Sequence, residues 1–386
     1  MALPVDPPGG RLAEVAWVFL KLGTVAFGGP AAHIAMMEQE VVRRRGWVSH
    51  ETFLDLVAAS NLIPGPNSTE LAIHLGRERA GWWGLAVAGV CFIVPASVIV
   101  GVAAWAYVRW GSLPEAAGVL AGVKPVILAV LAQALWGLGR TGLKTPGLGV
   151  IAAAAFVLAL GGVGELAILF GAGVGFAIGA WARGGQAAPL PAVVVTPSLL
   201  APAAGAGATA AAVGAWPLFW VFLKIGSVLF GSGYVLVAFL RGELVTKLGW
   251  LTEAQLLDAV AVGQVTPGPV FTTATFVGYV LAGVPGAVAA TVGIFLPAFF
   301  FVAVSGPLVP WLRRSPVAGA FLDGVIAASL ALMAAAAVWL AKGALVTPWS
   351  VAVMVLAAVL LIRWKVNATW LVAGGAVVGV AMQLLG

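Results

Sequence analysis

Apolar residues run through this chain in long stretches, separated by short polar or glycine- and proline-rich breaks. A helix needs ~20 apolar residues to cross the hydrocarbon of a bilayer. Five such stretches are expected in the first half, over about 13–42 (interrupted at Gly28-Gly29-Pro30), 83–108, 115–139, 146–161 and 164–182. Five more are expected at about 215–245, 284–309, 316–341, 347–362 and 367–385. Between the first and second stretch of each half the pattern changes. Residues 50–63 carry His50, Glu51, Asp55 and Asn61, end at Pro64-Gly65-Pro66, and resume as a short helix over 67–80. The counterpart is 252–266, Pro267-Gly268-Pro269 and 270–282. These arms are too short to span, so the pattern predicts a re-entrant hairpin in each half. Broken backbone of this kind is tolerated at membrane depth only where protein buries it or it lines a wet cavity.

The two halves repeat one another. Phe19-Leu20-Lys21-Leu22-Gly23 returns 203 residues later as Phe222-Leu223-Lys224-Ile225-Gly226, and the register holds through Asp55/Asp258 to the two Pro-Gly-Pro elements. After one deletion it continues as Gly81/Gly283, Pro95/Pro297 and Thr145-Pro146/Thr347-Pro348. The expected organisation is a first repeat over 1–183, an Ala/Pro/Gly-rich linker over 184–214 and a second repeat over 215–386. Duplicated apolar halves around shared polar residues are the pattern of a transporter with one central site.

Composition excludes a soluble domain. Hydrophobic residues make up 62% of the chain and charged residues 9%, against roughly 25% charged in soluble proteins. The mean hydropathy is +1.07. The fold expected is therefore all-α and polytopic in a membrane. The net charge of +6 reports topology and lipid contact, and no nucleic-acid partner is expected. Cys91 is the only cysteine, so there is no disulfide framework. Three histidines scattered without cysteines make a metal site or other cofactor unexpected. Met1–Gly10 has no basic n-region or cleavage pattern, so no signal peptide is expected.

Five spans per half is an odd number, so the second half should enter the membrane inverted. Corresponding loops should then carry opposite Lys/Arg bias. Summed over alternate loops, 12 basic residues fall on one face and 4 on the other. The rich face is expected to be cytoplasmic, which on this span count places both termini outside; an interrupted first span that turned back would put the N-terminus inside.

Lys21 and Lys224 lie in apolar stretches at the same repeat position. A lysine inside a span marks a functional site by default, although one near a helix end can snorkel to the interface. Each precedes a break, Phe27-Gly28-Gly29-Pro30 or Phe230-Gly231-Ser232-Gly233. Glycines let the backbone leave the helix there, and the next helix N-terminus offers unpaired N–H groups to an anion. A simple kink is the bland alternative. The reversals are followed by Asn67, Ser68 and Thr69 in one half and Thr272 and Thr273 in the other, either ordinary caps or ligands for a tetrahedral oxyanion. Asn61 and Gln264 occupy one repeated position in the hairpins. Asp55 and Asp258 are the repeated hairpin acids and candidates for proton coupling. Glu40 and Glu243, beside arginine or lysine, read as ion pairs. Lys124, next to Pro125, is an unpaired second-tier candidate. A membrane-embedded serine hydrolase built on Gly231-Ser232-Gly233 fails for want of a base, since the second half has no histidine.

The duplicated Phe-Gly-Gly-Pro break, the Gly-Trp pairs Gly46-Trp47 and Gly249-Trp250, and the Pro-Gly-Pro reversals together resemble the chromate ion transporter family in its long, two-domain form. The second half departs from the break motif, with Ser232-Gly233 where the first has Gly29-Pro30. The resemblance implies a multi-pass protein of the bacterial inner membrane that confers chromate resistance by exporting chromate, driven by the proton gradient. Sulfate, of the same charge and shape, stays open as an alternative substrate. The partners implied are the oxyanion, protons and the lipid bilayer, and a homodimer is compatible with the chain.

Overall fold

Hydroxyl caps and prolines start the helices. The Thr145 side chain accepts from the Leu148 N–H with Pro146 in the first turn, and Thr347 accepts from the Ser350 N–H with Pro348 in the same place. Ser49 caps one hairpin helix, and Thr252 with Gln255 forms a reciprocal capping box on its counterpart. The computed structural model describes residues 8–27, 29–111, 114–182, 213–230, 233 and 235–385. The expected linker as far as residue 212, and the break residues Gly28, Gly231 and Ser232, lie outside them.

The first half comprises α1 (Pro8–Val25), α2 (Gly29–Met37) running on as a π-helix to Arg44, α3 (His50–Ser60), α4 (Asn67–Trp110), α5 (Pro114–Gly142), α6 (Pro146–Leu160) and α7 (Glu165–Ala182). The second half repeats the order: α8 (Ala215–Val228), α9 (Leu236–Leu240) running on as a π-helix to Lys247, α10 (Glu253–Val265), α11 (Thr273–Arg314), α12 (Pro316–Ala344), α13 (Pro348–Arg363) and α14 (Ala368–Leu385). The described residues contain no strand, and the fold is all-α. Among the described residues, five helices are long and apolar enough to cross a membrane: α4, α5, α7, α11 and α12. α6, α8, α13 and α14 are shorter apolar helices. The protein is a polytopic membrane protein.

One expectation is corrected. The first apolar stretch of each half is not a single interrupted span. Glu14 Oε1 lies 2.8 Å from Arg45 Nη1, and Lys21 Nζ lies 3.6 Å from Glu40 Oε2. A continuous helix would separate residues 14 and 45 by about 46 Å. The chain therefore turns back at the break, and α1 pairs with α2 head to tail. Lys224 Nζ and Glu243 Oε1, 2.8 Å apart, mark the same reversal in the second half. The start of α1 consequently sits at the face that carries Arg45 and Arg79, both bonded to Glu14. Gln383, near the chain end, packs on Gly118 at the far end of α5. The termini thus lie at opposite faces, not on one.

A second reversal lies inside α4 and α11. At Gly81 (φ 65°) and Gly283 (φ 60°) the backbone enters the left-handed region that glycine adopts without strain. The arms on either side fold together. Gly76 packs on Gly84 and Gly278 on Gly286, and the Thr275 and Thr291 hydroxyls are 2.7 Å apart. Each half therefore has two folded-back pairs followed by the distal arm of the long helix and three further helices.

The halves are built into one another. The Gly65 N–H donates to the Leu229 carbonyl at 2.8 Å, and the Gly268 N–H donates to the Ala26 carbonyl at 2.9 Å. Each Pro-Gly-Pro turn is thereby tied to the break of the opposite half. α5 packs on α13 and α14, and α12 packs reciprocally on α6 and α7. Gly118 meets Gly379 and Gly122 meets Gly375, so α5 and α14 run antiparallel with small residues letting the backbones close up. Arg77 reaches across to donate to the Val302 and Ala303 carbonyls. The second of these has lost its helical donor because the residue four positions on is Pro307.

Candidate functional site

A cavity of about 830 Å³ opens between the halves. Its inner wall is formed by Pro30 of the first break and by Asn61 and Asn67 on either side of the first Pro-Gly-Pro turn. Asn67 Nδ2 donates to Asn61 Oδ1 at 2.5 Å, so the two amides face one another across the turn. α4 begins at Asn67, where a helix N-terminus favours negative charge. Its mouth carries Arg140 and Lys144, from the end of α5 and the turn to α6, and Lys365 beyond α13. Asp323 on α12 lies 3.8 Å from Lys144. Gln133, Thr141 and Ser329 add polar groups to the wall. The arrangement is a basic funnel leading to amides and a helix start, which suits a small oxyanion.

Of the residues singled out in the sequence, Pro30, Asn61 and Asn67 line this cavity. Lys21 and Lys224 do not. Each pairs with the glutamate of its own half: Lys21 with Glu40, which also holds Arg44 at 3.2 Å and Arg45 at 3.1 Å, and Lys224 with Glu243, which also holds Lys247 at 2.6 Å. Each lysine therefore shares its carboxylate with further cations inside a folded-back pair and does not line the cavity. Glu40 and Glu243 are ion-paired, as their surroundings suggested. Ser68, Thr69, Thr272 and Thr273 are buried away from the cavity. The Thr272 and Thr273 hydroxyls donate to the Pro269 and Val270 carbonyls three residues back. Phe27 is exposed, Phe230 is half-buried, and Gly233 packs on Val270 and Phe271.

The two hairpin aspartates part company. Asp55 is exposed. Asp258 is buried, 3.0 Å from Lys124 Nζ, and accepts from the Tyr107 hydroxyl at 3.0 Å. Lys124, ranked second from sequence, is thus the partner of a hairpin acid from the other half. The repeat positions of Lys124 and Tyr107 are Ile326 and Val309, so these two residue types are not repeated in the second half. Pro64, Gly65, Pro66, Pro267, Gly268 and Pro269 form the reversals that contact the opposite half, and Gln264 is half-buried beside the second.

The basic mouth was missed. Arg140 and Lys365 read in the sequence only as loop charges. A signal existed for one of them, because Arg140 recurs as Lys342 in the second half. No group of three His, Cys, Asp or Glu able to hold a metal occurs among the described residues.

Helical reversals inside an apolar bundle, interlocked halves and a cavity ending at a helix start define a membrane transporter. Comparison with known proteins narrows the class. The family model described as chromate transporter matches residues 13–178 and 216–380, and the chain belongs to that family. It is similar to the chromate transport protein of Cupriavidus metallidurans, 34% identical over 98% of this chain and 95% of that protein. It is also similar to the probable chromate transport protein of Synechococcus elongatus (32%, 88% of this chain and 86% of that protein) and the chromate transport protein of Pseudomonas aeruginosa (33%, 87% and 82%). No solved structure matches. The family is one of transporters, not of enzymes.

Proposed function

We propose that this protein carries chromate out of the cytoplasm across the inner membrane, driven by the proton gradient. The observation that carries the reading is the cavity. It starts at the face rich in Arg and Lys, which the positive-inside rule makes cytoplasmic, and ends at Asn61, Asn67 and the start of α4. Arg140, Lys144 and Lys365 collect the dianion, and the two amides with the helix N-terminus hold it without the tight charge pairing that would prevent release. Lys21 and Lys224 keep the folded-back pairs closed.

The halves act as inverted repeats over 1–183 and 215–386. Antiparallel packing of α5 on α14 supports this. So does the contact of Glu165, the first residue of α7, with Lys247, the counterpart of a residue at the opposite face of the first half (3.5 Å). Inversion lets the two repeats exchange conformations and so open the site to alternate faces. The Lys124–Asp258–Tyr107 cluster lies away from the open mouth and holds the second hairpin against the first half. Release of Asp258 from Lys124 frees that hairpin to move.

Purified protein in liposomes, assayed for uptake of chromate, sulfate and an organic anion, tests the reading. Chromate uptake that sulfate competes with, and that a pH gradient drives, is expected. Uptake of the organic anion alone overturns it. Uptake of sulfate with no competition by chromate makes the protein a sulfate carrier instead.

A further inference from the structure

Glu70 is fully buried, with 0% of its surface exposed, and neither carboxyl oxygen has a hydrogen-bond partner. No ion pair reaches it among the described residues. It sits on the proximal arm of α4, one helical turn after Asn67, which lines the cavity. Its carboxyl packs against Gly65, the residue whose N–H is bonded to Leu229 of the other half. The matching position in the second half holds a threonine, Thr272 or Thr273, whose hydroxyl is satisfied by its own backbone. A structural carboxylate would be given donors, as Glu14, Glu40 and Glu243 all are.

We propose that Glu70 is a proton-binding site of the transport cycle. The inference rests on the proton-driven reading above and names the carboxyl that exchanges the proton. An ionised carboxylate in this position would be an unpaired buried charge, so the sealed state takes it up as the neutral acid. The groups around it offer no counter-charge. Arg77, two turns further along the same arm, is engaged with the Val302 and Ala303 carbonyls. His74, one turn on, is buried with Nε2 unpartnered, and His33 bonds the Ala26 carbonyl. α11 meets the turn with Ala298, and the opposite half meets it with Leu229. When the first hairpin shifts against Leu229, cavity water reaches Glu70 past Asn67. The carboxyl then ionises, releasing one proton and leaving one negative charge on the arm. The carboxyl thus gains and loses its proton only when the first hairpin opens, which ties proton exchange to the conformational step that also exposes the anion site.

Two measurements on the purified full chain test this. The first is infrared titration of the wild type, Glu70→Gln and Glu70→Thr, the last copying the other half. A neutral-carboxylic-acid C=O band at neutral pH, present in the wild type and absent from both variants, is expected. A band that persists in both, or is missing from the wild type, overturns the assignment. The second uses liposomes with an enclosed pH dye. Chromate-coupled proton movement should fall at least tenfold in Glu70→Gln, while exchange of labelled for unlabelled chromate stays within threefold. Unchanged proton movement overturns the proposal. If the wild type moves no chromate, the transport reading fails, and the infrared band still decides whether Glu70 binds a proton.

Discussion

Lys124 Nζ and Asp258 Oδ1 lie 3.0 Å apart although they belong to opposite halves of the chain. The lysine comes from a long helix of the first half and the aspartate from the short hairpin of the second. Both are largely buried, and Tyr107 completes the carboxylate's shell. Removing one partner of a buried pair costs about 3–5 kcal/mol because the other charge is stranded. Lys124→Ala should therefore lower the thermal unfolding temperature by several degrees, and adding Asp258→Asn should restore most of the loss. A double variant no more stable than Lys124→Ala alone would show that the pair carries no coupling.

Asp258→Asn keeps the shape of the hairpin and removes the titratable group. Proton-driven accumulation of chromate should fall in this variant while exchange continues, because the second hairpin no longer answers to Lys124. Asp55→Asn, at an exposed position, should leave both activities within twofold. Equal losses in the two variants would point to a symmetric role for the hairpin acids and against release of the second hairpin from Lys124.

Gly65 and Gly268 have φ of 138° and 88°, and a Cβ on either would meet the Glu70 carboxyl or the Ala96 side chain. Backbone strain in this region costs about 1–3 kcal/mol before any clash is counted. Gly268→Ala should be the harsher change, since Ala96 sits on a helix and cannot swing aside as a carboxyl can. Transport at equal protein level should drop more than tenfold in Gly268→Ala and less in Gly65→Ala. Wild-type rates in Gly268→Ala would mean the reversal does not need this close approach.

Charge at the cavity mouth is distinguishable from charge in the folded-back pairs. Arg140→Ala should raise the chromate KM about tenfold with kcat little changed, as loss of uniform binding does. Lys224→Ala leaves Glu243 with Lys247, so its KM should stay within twofold. A large KM increase in Lys224→Ala with none in Arg140→Ala would return the substrate role to the repeated lysine.

The two faces can be labelled. In a Cys91→Ala background, cysteines placed beside Glu14 and Arg45 should react with an impermeant reagent from the same side, and one beside Lys247 from the other. Reaction of the Glu14 and Arg45 positions from opposite sides would restore a first stretch that crosses the membrane.

Much of the architecture was legible because it is local. Apolar length gave the helices from α4 to α7 and from α11 to α14, the Pro-Gly-Pro elements marked the reversals, and recurrence at a fixed offset paired the halves. The breaks at Phe27 and Phe230 were also legible, but not their consequence. A glycine-rich break permits a kink and a full reversal alike, and only the contacts of Glu14 with Arg45 and of Lys21 with Glu40 decide between them.

The site itself was the least readable part. Lys21 and Lys224 drew attention by recurring, yet recurrence says that a residue matters to the repeat, not that it faces a ligand. Their partners lie 19 residues away along the chain and meet them only after the fold closes. Lys124 and Asp258 come from different repeats, as do the cavity groups Asn67 and Lys365, so no spacing within a half could reveal them. The sequence by itself determined an α-helical membrane protein made of two related halves with broken helices. Which polar groups are neutralised, which line the cavity and which, like Glu70, are sealed without a partner depend on how the halves interlock. Burial and pairing are properties of surfaces brought together from distant segments, and those the tertiary structure alone decides.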